Sequence, residues 1–147
     1  MDSKRSSRFL PLLKIEEAKE REEARAFAEQ RRLLNEKLAK LTELEGYLRE
    51  YNKRFADQTR AGTHAGQLRS SYGFICQLNS GISQQQMTVS ESERSMEESR
   101  TRWLEVKQRV DILLKTIARM MAEEMQRERK VEQSLADEAA RRKFHQS

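Results

Sequence analysis

The chain has 147 residues, of which 36% are charged, 36% hydrophobic and only 6% aromatic, with one proline and five glycines. A compact globule of this length needs more apolar side chains to fill a three-dimensional core, so the choice narrows to disorder or a thin, extended helical fold. The net charge of +5 is the small remainder of 29 basic and 24 acidic residues, finely mixed, which suits solvated helix faces better than a nucleic-acid groove.

The first residues hold the one basic cluster, Lys4, Arg5 and Arg8, with Asp2 as their only acid. Phe9 to Leu13 is too short for a signal-peptide core and runs into Lys14. Pro11 marks the first turn of a helix or a short extended lead-in. From about residue 6 to 59 the composition is rich in Ala, Glu, Leu, Lys and Arg, and predicts a first helix. Its apolar stripe is Leu34, Leu38, Leu41, Leu44, Leu48, Tyr51 and Phe55, with one extra step of three that reads as a local phase slip. Before Leu33 the stripe thins to Leu13, Ala24 and Phe27, so that end is expected to pack loosely.

The only mid-chain turn signal lies at residues 60–66, where Gly62 and Gly66 suit a helix C-cap followed by a short loop. The second helix, about 67 to 143, carries the most regular pattern in the chain. Leu68, Ile75, Ile82, Val89, Met96, Trp103, Val110 and Ile117 recur one heptad apart without a miss. The companion positions four residues on are Tyr72, Asn79, Gln86, Glu93, Arg100, Lys107, Leu114 and Met121, polar in the middle. Val106, Leu113 and Met120 thicken the stripe after Trp103.

A short loop makes the two helices antiparallel neighbours. The fold class expected is therefore all-α, a long two-helix antiparallel coiled-coil hairpin forming one domain over residues 1–147; a parallel dimer through the same stripes is the alternative. Folding back near residue 63 puts Tyr51 near Cys76 and Leu44 near Ser83. The first helix then runs out opposite about Gln126, leaving Val131, Leu135, Ala136, Ala139 and Ala140 on an overhanging helix with an apolar edge.

Nothing in the sequence reads as a catalytic or cofactor site. A two-helix hairpin has no interior in which groups can converge away from water. His64 and His145 have no metal-ligand companions at useful spacing, so no metal is expected. Pairs such as Glu97–Glu98 and Glu123–Glu124 read as solubilising. Cys76, the only cysteine, reads as a packing or an inert residue and fits a reducing compartment, and no apolar run is long enough to span a membrane. A cytosolic protein is expected.

Apolar residues beside the main stripe carry more information. Phe74 and Leu78 lie four apart, outside the Leu68–Ile75–Ile82 row, and Leu44, Tyr47 and Tyr51 share one side of the first helix. Together they either widen the core near the loop or form an outer aromatic patch that docks a partner. The five methionines from Met87 to Met125 suit core filling, or an adaptable binding face.

The sequence resembles the FliJ family of flagellar export proteins over nearly its whole length. The resemblance rests on the two-helix layout and on short stretches in order: Tyr47 to Tyr51, the small-residue loop Ala61–Gly66, Tyr72 to Leu78, Trp103, and Glu132 to Ala139. It implies a cytoplasmic, non-enzymatic component of the flagellar type III export apparatus, similar in form to the central stalk of rotary ATPases. The partners it implies are the hexameric export ATPase, the cytoplasmic domain of the export gate and export chaperones; no nucleic acid is expected, because the mixed charge argues against it. It also implies peripheral association with the cytoplasmic face of the inner membrane at the flagellar base. By the same resemblance Leu44, Tyr47, Tyr51, Phe74 and Leu78 match a gate-contacting surface, at which Gly81 offers no side chain. Arg127, Arg129, Lys130, Asp137, Glu138, Arg141 and Arg142 become candidate contacts with loops lining the ATPase ring. The rival expectation is a general secretion chaperone or scaffold that holds unfolded substrates on the methionine face.

Overall fold

The computed structural model describes residues 4–146; Asp2 of the basic cluster lies outside the described residues. The chain is all-α, with α1 (Arg5–Ala61) and α2 (Ala65–Gln146) joined by one tight turn as an antiparallel coiled-coil hairpin. Its contacts gather into two compact units. The loop unit is Glu23–Arg102; the terminal unit joins the start of α1, to Glu22, with α2 from Trp103 onward.

The turn is built by Gly62. At φ 75° it occupies the left-handed region that side chains resist, and its N–H bonds the Thr59 carbonyl at 3.4 Å. The Thr63 N–H reaches back to the Gln58 carbonyl at 3.2 Å. These two bonds form a Schellman cap that satisfies the last carbonyls of α1. The His64 carbonyl accepts from Gln67 and Leu68 at 3.1 and 3.2 Å and opens α2. The loop is thus shorter than expected, and Gly66 lies inside α2.

Burial traces an unbroken heptad seam along each helix. On α1 it passes through Ser6, Phe9, Leu13, Glu16, Glu20, Glu23, Phe27, Gln30, Leu34, Lys37, Leu41, Leu44, Leu48, Tyr51, Phe55 and Gln58, none of them exposed. The expected phase slip is therefore absent. Lys37, not Leu38, occupies the seam, and Leu38 is exposed. An apolar count follows Leu38 because a seam tolerates a long polar side chain whose methylenes lie inside and whose charge reaches water.

On α2 the seam alternates the expected heptad row with a second row three residues on: Ser71, Leu78, Gln85, Ser92, Ser99, Val106, Leu113 and Met120. The companion row expected four residues on is exposed throughout, including Tyr72, Leu114 and Met121. Buried serines in mid-helix hid the true row.

In the loop unit, Tyr51 stacks on Phe74, Gln58 accepts from Ser71 at 2.9 Å, the Gln85 amide donates to the Lys37 carbonyl at 2.9 Å, and Glu23 pairs with Arg102 at 3.7 Å. This register sets Tyr51 across from Ile75, Leu48 from Leu78 and Leu44 from Ile82, giving three all-apolar layers. Each well-buried Leu or Ile there contributes roughly 1.5–3 kcal/mol.

The terminal unit is held differently. Its α2 face is apolar, with Val106, Val110, Ile117 and Met120 buried, and Phe9 and Leu13 set against Ile117 and Leu113, but on the α1 side Glu16 and Glu20 take seam positions. Polar ties close the gaps. Trp103 Nε1 donates to Glu20 at 2.9 Å, Arg109 Nε meets Glu16 at 3.3 Å, and the Ser6 N–H and hydroxyl both donate to the Glu124 carboxylate at 3.0 and 2.7 Å. The start of α1, expected to pack loosely, is fastened here because a carboxylate from α2 satisfies an orphan N–H at its positive end. α1 runs through Pro11 instead of starting at it. Having no N–H, Pro11 leaves the Ser7 carbonyl without its helical bond.

Candidate functional site

Two surfaces stand out, one in each unit. The first is an aromatic patch in the loop unit. The Tyr51 and Phe74 rings lie 4.5 Å apart, centroid to centroid, tilted at 48°. Such tilted pairs are stabilising beyond their buried area. The Arg54 guanidinium lies 5.3 Å from the Tyr51 centroid and also pairs with Glu50 at 2.7 Å, adding a cationic rim. Tyr47, one turn before Tyr51 on the same flank, is 45% exposed, and Phe74 is 40% exposed. The Tyr47 hydroxyl donates to the Glu43 carboxylate at 3.0 Å, and that bond with the Glu43 charge holds the phenol above its ordinary pKa.

The five residues expected at this patch therefore separate by depth. Tyr47 and Phe74 face solvent, Leu44 and Tyr51 are half-buried in the seam, and Leu78 is buried in the core. Leu78 falls outside the row that begins at Leu68 but inside the second seam row, three residues after Ile75. Arg54 was missed by sequence reasoning, although its spacing of three from Tyr51 would have placed it over the ring. A second aromatic pair, Phe55 with Tyr72 at 6.3 Å, was also missed. An added Cβ at Gly81 would meet nothing within 4 Å, so the surface is open there. Cys76 is a free thiol and exposed, so of the two roles expected for it, packing or inert, it does not have the packing one.

The second surface belongs to the terminal unit. Lys4 pairs with Glu128 at 2.7 Å, and from Met125 to Gln146 every residue of α2 is exposed. The seven charged residues expected to contact a partner, from Arg127 to Arg142, all lie on this stretch and all face solvent. Arg142 pairs with Glu138 at 3.1 Å, within the helix. Val131 and Leu135 are 58% and 60% exposed, large apolar side chains that a helix normally covers. Of the methionines expected to fill the core, Met120 does so and Met96 is half-buried. Met87, Met121 and Met125 are exposed.

Among the described residues no group of three or more His, Cys, Asp or Glu could hold a metal ion. No helix among them is long and apolar enough to cross a membrane.

Residues 5–147 match the family model described as the flagellar FliJ protein. No curated protein and no solved structure matches the chain. A match over nearly the full length, on a chain that folds as two long antiparallel helices, shows that this protein belongs to the FliJ family of flagellar proteins, non-catalytic components of flagellar export.

Proposed function

We propose that this chain is a stalk-like component of the flagellar type III export apparatus, which inserts its terminal unit into the hexameric export ATPase ring and promotes ring assembly and activity. The observation that carries this reading is the fully exposed stretch of α2 from Met125 to Gln146, which continues beyond the start of α1 with both charges and large apolar side chains facing outward. A ring of subunits offers such a helix what the chain itself does not, namely loops on several sides. Arg127, Arg129, Lys130, Arg141 and Arg142 are the cationic contacts, and Asp137 and Glu138 the anionic ones.

In the same reading the aromatic patch engages the cytoplasmic domain of the export gate. Tyr47, Phe74 and the edge of Tyr51 make the contact, while Leu44 and Leu78 hold the helices beneath it. The protein works at the cytoplasmic face of the inner membrane, attached through its partners, and also binds export chaperones. Tyr47→Ala and Phe74→Ala test the patch. Each is expected to weaken binding to the gate domain at least about tenfold, as truncation of an aromatic anchor does, with helicity by circular dichroism unchanged. Unchanged binding by both variants would remove the patch from the proposal.

One alternative has an observation behind it. The exposed side chains of Met121 and Met125, one turn apart on α2, suit an adaptable face that holds unfolded export substrates. A chaperone of that kind binds many unfolded chains, whereas a stalk binds one ATPase at a fixed stoichiometry per ring.

A further inference from the structure

Between the all-apolar layers near the loop and the far end of the loop unit, the seam changes character. The register sets Leu41 across from Gln85, Lys37 from Val89, Leu34 from Ser92, Gln30 from Met96 and Phe27 from Ser99. Five consecutive layers thus pair one apolar side chain with one polar or small one. Ser92 and Ser99 are 3% and 0% exposed, and neither hydroxyl has a hydrogen-bond partner. A buried hydroxyl without a partner forfeits the bonds it makes to water when the helices part. The polar tie across these layers is the Gln85 amide on the Lys37 carbonyl, and that carbonyl already serves its own helix.

We propose that residues 27–41 of α1 and 85–99 of α2 form an opening segment, at which the helices separate locally while the layers of Leu44, Leu48 and Tyr51 against Ile82, Leu78 and Ile75 stay closed. Opening returns the Ser92 and Ser99 hydroxyls, the Gln30 amide and the Lys37 stem to water, and bares Phe27, Leu34, Val89 and Met96. Closing restores the apolar half of each layer. The polar half is what makes the balance shallow, so the segment is a conformational device written into alternate seam positions.

Hydrogen exchange on the full chain reads this directly. An isolated helix is marginal in water, so a helix released from its partner frays and exchanges its amides. Amides within 27–41 and 85–99 are expected to exchange at least about tenfold faster than those within 44–55 and 71–82. The triple variant Gln30→Leu, Lys37→Leu, Gln85→Leu makes three of the five layers apolar on both sides. It is expected to slow exchange in the segment by a similar factor and to leave the 44–55 rates unchanged. Equal exchange across both regions in the native chain would overturn the proposal. So would a triple variant, shown folded by its circular dichroism, whose segment exchanges as fast as before.

Discussion

The loop unit and the terminal unit use the same heptad geometry and hold it by different chemistry. Near the loop, Leu44, Leu48 and Tyr51 meet Ile82, Leu78 and Ile75, and stability comes from apolar burial. In the terminal unit Glu16, Glu20 and Ser6 occupy seam positions, and their ties to Arg109, Trp103 and Glu124 specify which residue meets which. Apolar contact is strong and undirected, whereas a hydrogen bond adds little net free energy but tolerates few geometries. The difference teaches that a regular seam can be tuned along its length, one stretch for cohesion and another for register.

The comparison breaks first in the all-apolar layers of the loop unit. Ile82→Ala, in an all-apolar layer, is expected to cost about 2–4 kcal/mol in urea denaturation. A loss below about 1 kcal/mol would mean that the loop unit is not held by its apolar layers. Trp103→Phe keeps most of the ring and removes the donor to Glu20. At this half-exposed position the expected loss is only about 0.5–1.5 kcal/mol. A loss as large as that of Ile82→Ala would erase the proposed contrast.

Acid sharpens the contrast by acting on one tie. The Ser6 N–H, the Ser6 hydroxyl and the nearby Lys4 charge hold the Glu124 carboxyl below its ordinary pKa. A depressed carboxyl contributes stability that is present above its unfolded pKa and lost as pH falls through the folded one. Protection of the amides in the first turns of α1, taken relative to their intrinsic exchange at each pH, should therefore fall below about pH 4.5, the ordinary carboxylate value. Glu124→Gln should show that lower protection already at neutral pH. The smallest effect is reserved for Ser99→Ala, which removes a buried hydroxyl that has no partner. Stability should stay within about 0.5 kcal/mol or rise, and a loss above 1.5 kcal/mol would show that the hydroxyl is bonded after all.

Much of this molecule was legible because an unbroken apolar row needs no context. Ile75, Ile82, Val89, Val110 and Ile117 are buried, and they recur at a spacing only a coiled coil explains. Polar seam positions were not legible. Ser92 and Ser99 look like surface residues until the opposite helix covers them, and Lys37 loses to Leu38 in any count of apolar side chains. The same blindness misplaced Leu78, whose row is interrupted by Gln85, Ser92 and Ser99. Cross-helix ties such as Arg109 to Glu16 depend on register, which charge patterns alone do not fix. Of the aromatic patch, the residues were readable and their depth was not. Tyr47 and Leu44 are three apart on one helix, yet one faces solvent and the other the seam.

The most direct test of the proposed stalk role is ATP hydrolysis by the flagellar export ATPase, measured alone, with the full chain, and with a variant ending at Gln126. The account predicts that the full chain promotes hexamer assembly and raises activity, and that the shortened one, lacking most of the exposed stretch of α2, does neither. Equal stimulation by both forms, or none by either, would contradict insertion of the terminal unit into the ring.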